Sequence, residues 1–584
     1  MISGYTHNLS VQILVDLLLK HGVRKAVVSP GTTDLEFIAA LQFNGGFEIY
    51  SSIDERSAAY MACGIADEFG EPIVIACTEA TASRNYFPGL TEAFYRKLPI
   101  IAVTGIHRYY QIGTLFPQVI DRHLSPGDIA VYKAQLPVIK DNEDLKHTEL
   151  LVNKALLAVR GANPGPVHID LPCCNDDYEF SCKELYNARK IDRYEVDDKL
   201  PDLPKGKIAI YIGSHRNFTE DEAECLDAFC ASNDAVVFCD HTSGYHGKYA
   251  FHAGLLSVQR KRYKIMDNVA CLIHLGEQMA DWPTMTKLKS SKTTWRVSPD
   301  GELRDTFGNL SKVFKMTLIE FFKRYTCDTE SKDSYLKECN AVKKTLRIPM
   351  DALPLSNVYT AAKISAALPS NSIFHMGASN TVRAWSMFDL PDGVRSYGNV
   401  GCRGIDGVLS SAVGASLADK KHLHFCVVGD LMFYYDMNSL GNRDLVGNLR
   451  VLLINNNGGG IFKQSVAPGY KFFGDRSTDD FIAAANHFGR GENNVVKNYV
   501  ESLGFEYFSA KTKKEFDSVY ESFVSTQNKN RPILFEVFTK DYDDRKAFDI
   551  MNSIDEPPVN PAKQVAKQLL GQKGISIVKK ITGR

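Results

Sequence analysis

Two short segments hold the residues best suited to chemistry. One is Val427-Val428-Gly429-Asp430-Leu431; the other is Leu452-Leu453-Ile454-Asn455-Asn456-Asn457-Gly458-Gly459-Gly460-Ile461-Phe462, about 25 residues further on. Each follows an apolar run that reads as a buried strand, and ligands of open α/β sheets bind beyond the carboxyl ends of such strands. Glycine lets backbone come close to a phosphate. A helix starting near Asp436 or Met437 would turn its first amides toward an anion. Asp430 offers a carboxylate, Asn457 a side-chain carbonyl and Gly459 a backbone carbonyl. So sparse an oxygen set suits Mg²⁺, which fills its octahedral shell with phosphate oxygens and water. A third candidate is Glu55, in Ile53-Asp54-Glu55-Arg56, between an apparent strand at 48–53 and a small-residue helix at 58–66. Taken alone it reads as a helix-start charge.

The elements that must carry these residues alternate between strand and helix patterns. Val11–His21 has helical apolar spacing, and strands are expected at 25–28, 73–77, 100–104 and 167–171. A charged stretch with Pro201 and Pro204, residues 192–207, reads as a linker. Strands follow at 208–212, 236–239 and 270–275, and a helix toward 344. A last group lies at 372–375, 424–428, 451–454 and 533–537. Buried apolar strands alternating with helices predict an α/β protein of three doubly wound parallel-sheet domains. The expected boundaries are 1–185, 190–345 and 350–550, with a basic tail at 551–584 whose last 24 residues hold six Lys or Arg and no acid. The first and third segments look like two copies of one architecture.

Bulk properties narrow the function classes. The 584 residues carry a formal net charge of -1, with 44% hydrophobic and 23% charged residues. That balance gives no footprint for nucleic acid or a membrane surface. No apolar run reaches the ~20 residues of a membrane span, and Met1–Ser10 lacks a signal-peptide pattern. The 13 cysteines include no C-x-x-C pair, which suits reduced thiols in a cytoplasmic protein.

Gly-Asp followed by Asn-Asn between strands is the signature of thiamine-diphosphate enzymes. Gly429-Asp430-Leu431, Tyr435-Asp436-Met437-Asn438 and Asn455 to Phe462, together with Ser29-Pro30-Gly31, Gly404-Ile405-Asp406-Gly407 and Gly165 to Pro172, resemble the 2-succinyl-5-enolpyruvyl-6-hydroxy-3-cyclohexene-1-carboxylate synthase family over residues 8–550. The resemblance implies a pyrimidine-binding domain, a central domain and a diphosphate-binding domain. Thiamine diphosphate and Mg²⁺ would be the cofactors, a 2-oxo acid and an acceptor the substrates. A homodimer or homotetramer would hold each cofactor between subunits. Glu55 would hydrogen-bond the aminopyrimidine, so that the thiazolium can lose its C2 proton and serve as nucleophile and electron sink. Gly429, Asp430, Leu431, Asn457, Gly459 and Ile461 would hold diphosphate and metal, and Ile405 would hold the cofactor bent. Gln118 would sit near the reacting carbonyl. Ser379 and Arg383 would face the substrate, with Arg108 and Arg403 as further anion-binding candidates.

The pattern breaks where the family binds carboxylates. Thr33 and Val400 stand in place of two arginines, and Glu79 adds a carboxylate. Arginine is the preferred bidentate partner of carboxylates, and each lost charge-assisted bond costs about 1.5–3 kcal/mol. The menaquinone-pathway substrates, 2-oxoglutarate and isochorismate, carry four carboxylates between them. A divergent relative with a less anionic substrate pair, such as pyruvate with an aldehyde or keto-sugar, is therefore expected. Two alternatives stand beside carboligation. A simple non-oxidative decarboxylase is disfavoured by the absence of a His-His pair, His107-Arg108 being the nearest approach. A non-catalytic paralogue is disfavoured by the joint presence of Glu55, Asp430 and Asn457.

Overall fold

The computed structural model describes residues 4–122, 125–161, 163–173, 178–261, 263–327, 332–479, 481–487, 494–527 and 530–555. The basic stretch after residue 555 lies outside them. The chain divides into two compact units, Met1–Leu200 with Thr294–Met316, and Pro201–Thr293 with Thr317–Arg584.

The first unit is built on a six-stranded parallel sheet. From edge to edge its strands are Glu48–Ser51, Lys25–Val28, Ile73–Thr78, Ile100–Ile106, Val167–Pro172 and Tyr132–Gln135. Successive side chains point to opposite faces. Ala26 and Val28 therefore join one apolar core with the helices Leu9–Lys20, Leu35–Asn44 and Asn142–Ala158. Val27, Ile73 and Ile75 join another with Glu55–Phe69 and Phe87–Arg96. Burial on both faces is why these strands are nearly continuous apolar runs. The strands Asp192–Tyr194, Leu310–Phe314 and Thr294–Val297, also of this unit, pair in parallel.

The second unit has a six-stranded parallel sheet of Arg395–Gly398, Ile373–Met376, His424–Gly429, Leu449–Asn455, Ile533–Phe538 and Glu506–Ala510. Counted in chain order within each sheet, both six-stranded sheets run 2-1-3-4-6-5. The two copies expected from the pattern thus share one topology. In each, the order reverses between the first and third strands, and the loops leaving those strands flank a crevice. The same unit holds four parallel strands, Ala250–Phe251, Val236–Cys239, Lys207–Ile212 and Val269–Leu275.

The strands expected in the last group are present within one or two residues at each end. Two expectations are corrected. The 192–207 stretch is not wholly linker: Asp192–Tyr194 is a strand paired with Leu310–Phe314, followed by irregular chain. The helix after Gly429 starts at Asp430 and ends at Asp436, where a 3-10 turn over Met437–Gly441 begins. No described helix is long and apolar enough to cross a membrane. None of the 12 described cysteines is in a disulfide.

At the crevice of the first unit, a Cβ on Gly105 would lie 2.2 Å from the Thr33 carbonyl oxygen and 2.8 Å from the Asp34 nitrogen. Backbone leaves no room for it. Gly105→Ala should lower stability by about 1–3 kcal/mol through overpacking, measured as a shift of the urea midpoint; an unchanged midpoint contradicts the close packing of the 29–34 turn.

Candidate active site

In the second unit the crevice brings the two Gly- and Asn-rich segments together. Strand pairing sets Gly429 against Ile454, so both chains leave the sheet at the same level. Asp430 is buried; its Oδ1 accepts from the Leu431 amide at 2.7 Å and its Oδ2 from the Gly458 amide at 2.8 Å. Burial pushes the Asp430 carboxyl up to about 7, and those backbone donors oppose it only in part. A cation beside this carboxylate would relieve the cost of burying its charge.

The Asn turn is held from below. Asn455 donates to Glu536 at 2.7 Å and accepts from the Asn457 amide at 3.1 Å; Asn456 donates to the buried Asp544 at 3.0 Å. A Cβ on Gly460 would meet the Asn456 amide nitrogen at 2.5 Å, and one on Gly459 would meet the Ala483 oxygen at 3.0 Å. The glycines are therefore required for packing as well as for close approach by a ligand.

These segments open on a cavity of about 780 Å³. Ser379, Arg383, Arg403 and Ile405 line it, as do Gly429, Asp430, Leu431, Gly459 and Ile461. Ile405 also packs on the apolar core beneath, so its two expected roles coincide. Asn457 is not brought in: it is exposed at φ 62°, does not line the cavity, and donates to Asn486 at 2.5 Å. A metal shell that used its carbonyl would need this side chain to turn. The cavity wall also carries buried polar atoms without a partner among the described residues: Asn357 Oδ1, Asn380 Oδ1, Ser386 Oγ and Gln464 Nε2. Unsatisfied buried polar groups are costly, so they mark a lining shaped for a polar ligand. The donors, glycines and buried carboxylate fit a metal-bound diphosphate.

Arg383 is held below its usual basicity by burial and by the charge of Arg403. Arg403, at φ 55°, donates to the Met279 carbonyl and lies 5.9 Å over the Trp282 ring. Trp282, Phe462, Val466 and Phe548 make the remaining wall largely apolar. Val400, where the family has an arginine, is buried and lines the same cavity. The aromatic wall gave no sequence signal, because Trp282, at the start of the helix Trp282–Leu288, and Phe462, in the 3-10 turn Gly460–Lys463, are distant in the chain.

In the first unit Glu55 is the first residue of its helix, whose start is capped by Asp54 accepting from the Arg56 amide. Asn85 reaches Glu55 Oε2 at 3.4 Å. Arg108 and Gln118 lie exposed on the segment after Ile106, Gln118 at φ 65°. One expectation changes. Glu79 is not a free charge: its buried carboxylate accepts from the His107 amide at 2.6 Å and from His107 Nδ1 at 3.0 Å. Thr33 is buried and donates to the Gly105 carbonyl at 2.7 Å, so its hydroxyl is spent on the fold. Asp34, unremarked in the sequence, is 1% exposed, accepts from the Gly31 amide at 2.9 Å, and has an unpartnered Oδ2. Burial, with the charge of Glu55 as a lesser cause, pushes it up to about 7.

Residues 10–125 match the family described as thiamine pyrophosphate enzyme, N-terminal TPP binding domain, and residues 377–537 match its C-terminal TPP binding domain. A protein of Phocaeicola vulgatus named 2-succinyl-5-enolpyruvyl-6-hydroxy-3-cyclohexene-1-carboxylate synthase is 30% identical over 553 residues, covering 92% of this chain and 96% of the relative. Relatives of the same name from Bacteroides fragilis and Bacteroides thetaiotaomicron are 29% identical over 555 residues and 28% over 550, covering 92% of this chain and 97% and 96% of theirs.

The Asp34 carboxyl yields a pH prediction. A group with a raised folded pKa binds more protons folded than unfolded, so stability falls as pH rises from about 4 through 7. Asp34→Asn keeps the acceptor for Gly31 and removes the charge. It should be more stable than the parent at pH 8, by at most ~4 kcal/mol, with the gain vanishing near pH 4; denaturant titrations at both pH values check it.

Proposed function

Because this chain belongs to the thiamine-pyrophosphate-dependent enzymes, in the 2-succinyl-5-enolpyruvyl-6-hydroxy-3-cyclohexene-1-carboxylate synthase family, we propose that it decarboxylates a 2-oxo acid and joins the remaining acyl unit to an acceptor, using thiamine diphosphate and Mg²⁺. The observation that carries this reading is the Gly458 amide bound at 2.8 Å to Asp430, which sets a buried carboxylate and a glycine turn at the lip of one cavity. Bound thiamine diphosphate supplies a carbon nucleophile that also accepts the electrons released on loss of carbon dioxide.

The chain's own residues divide the remaining work. Asp430 and the Gly459 carbonyl, with Asn457 after rotation, would hold Mg²⁺, and Gly429, Leu431 and Ile461 would enclose the diphosphate. Ile405 supports the ring system from its place on the apolar core. Glu55 would share a proton with the aminopyrimidine of the cofactor, and among the described residues Asn85 engages only its Oε2. Ser379, Arg383 and Arg403 face the substrate, with Arg108 and Gln118 as further candidates to bind it. Ile53, Tyr60 and Met61 are 93%, 47% and 41% exposed on and beside the Glu55 helix. Exposed apolar groups so close together suit burial by a second copy, and a homodimer or homotetramer with sites between subunits is the working assembly. The setting is cytoplasmic.

Substrate choice departs from the relatives' printed name. Val400 presents a methyl surface to the cavity and Thr33 is committed to Gly105, so neither replaces a guanidinium. Two arginines remain in the cavity, one of them tied to Met279. A donor with one carboxylate, such as pyruvate, and an uncharged acceptor match that balance.

Carbon dioxide release should be followed from pyruvate and from 2-oxoglutarate, each with and without isochorismate. Release from pyruvate should exceed that from 2-oxoglutarate by about tenfold or more, the equivalent of one lost charge-assisted bond. Glu55→Gln should abolish it. Fast turnover of 2-oxoglutarate that rises with isochorismate would refute the altered substrate range.

A further inference from the structure

A second cavity, in the first unit, encloses about 190 Å³ and shares no lining residue with the first. Its floor is a preorganised polar network. Arg122 Nε and Nη2 donate to Asp170 Oδ1 at 3.0 and 2.7 Å, Nη2 also meets His168 Nε2 at 2.9 Å, and Nη1 donates to Ser83 Oγ. A guanidinium only donates, so His168 Nε2 must offer its lone pair and the ring proton sits on Nδ1. Burial pushes His168 down to about 4, which keeps the ring neutral at physiological pH. Arg122 and Asp170 cancel, and the floor is close to neutral.

The walls are not. Arg84 stacks over the Phe87 ring at 5.2 Å and, among the described residues, donates only to the Asp121 carbonyl, at 3.0 Å. Lys133 donates to Ser125 Oγ and, at 3.1 Å, to the Pro126 carbonyl. Among the described residues neither forms an ion pair with a carboxylate. Burial depresses the Lys133 ammonium, and Asp170 offsets this only in part. Two cations on different elements, the helix Thr81–Asn85 and the strand Tyr132–Gln135, thus enter one small cavity uncompensated. Lys133 is exposed and Arg84 half-exposed, so an anion entering the cavity would meet two hydrated cations and would displace no carboxylate from either.

We propose that this cavity binds a small oxyanion with two negative charges, between Arg84 and Lys133 and over the Arg122–Asp170 floor. A phosphoryl group and a short dicarboxylate share that chemistry. The site needs nothing of the cofactor reading, because none of its residues belongs to the cavity of the second unit.

Calorimetric titration of the full chain, saturated with thiamine diphosphate and Mg²⁺, with inorganic phosphate and separately with succinate at constant ionic strength tests it. At least one should bind saturably where chloride does not, and Arg84→Gln and Lys133→Gln should each weaken it by about tenfold or more. Phosphate alone assigns a phosphoryl ligand; succinate alone assigns a dicarboxylate. The two substitutions lie on separate elements, so each stands if the other fails to fold. Absence of saturable binding by both anions, or binding that neither substitution weakens, overturns the proposal.

Discussion

A carboxylate buried at the end of a parallel strand is expensive, and the second unit is organised around one. Asp430 sits at the mouth of its crevice with two backbone donors and no cationic side chain paired with it among the described residues. The bond from the Gly458 amide ties two strand ends together and fixes the glycine turn. Around that turn, Asn455 on Glu536 and Asn456 on Asp544 repeat the device, each amide reaching a buried acid. Asp544 is itself pushed up to about 6 by burial. Asp544 is satisfied by the Asn357 amide, Asn456 and Thr539, whereas Asp430 faces the cavity, where a cation would relieve the cost of burying its charge.

The same sheet order serves two purposes. In the second unit the crevice between first and third strands carries Ser379 and Asp430. In the first it carries the 29–34 turn and the residues after Thr78. There, however, the space is filled: Thr33 bonds Gly105, Glu79 holds His107, and Gly31 and Gly105 have no room for a side chain. One copy keeps the open crevice of doubly wound sheets, and the other closes it with backbone and polar contacts. Thr33 is thus a structural residue here, whereas Val400 lines the open cavity of the second unit.

Much of the architecture was legible in the chain. Strands such as Lys25–Val28 and Leu449–Asn455 are buried on both faces, so their apolar runs stand out. The edge strands Arg395–Gly398 and Tyr132–Gln135 were missed because they are half-exposed and carry Lys, Arg and Gln. The helix at Asp430 was displaced in the reading, since an aspartate at its first position looked like a loop ligand alone. Glycines and Asp430 were readable because each cluster lies in one short run directly after a buried strand. The aromatic wall and the orphaned Asn357, Asn380 and Gln464 were not, because tertiary packing alone assembles them. Asp34 was passed over because no spacing rule marks a single acid buried behind a Ser-Pro-Gly turn.

In the proposed site Asp430 anchors a diphosphate through a divalent cation. Trp282 on the cavity wall gives a fluorescence signal for it. Thiamine diphosphate should be titrated into chelator-treated protein, with and without added Mg²⁺, in the parent and in Asp430→Asn. Saturable quenching that requires Mg²⁺ and is lost in the variant is the predicted result; binding of equal affinity without Mg²⁺, or in Asp430→Asn, would contradict it.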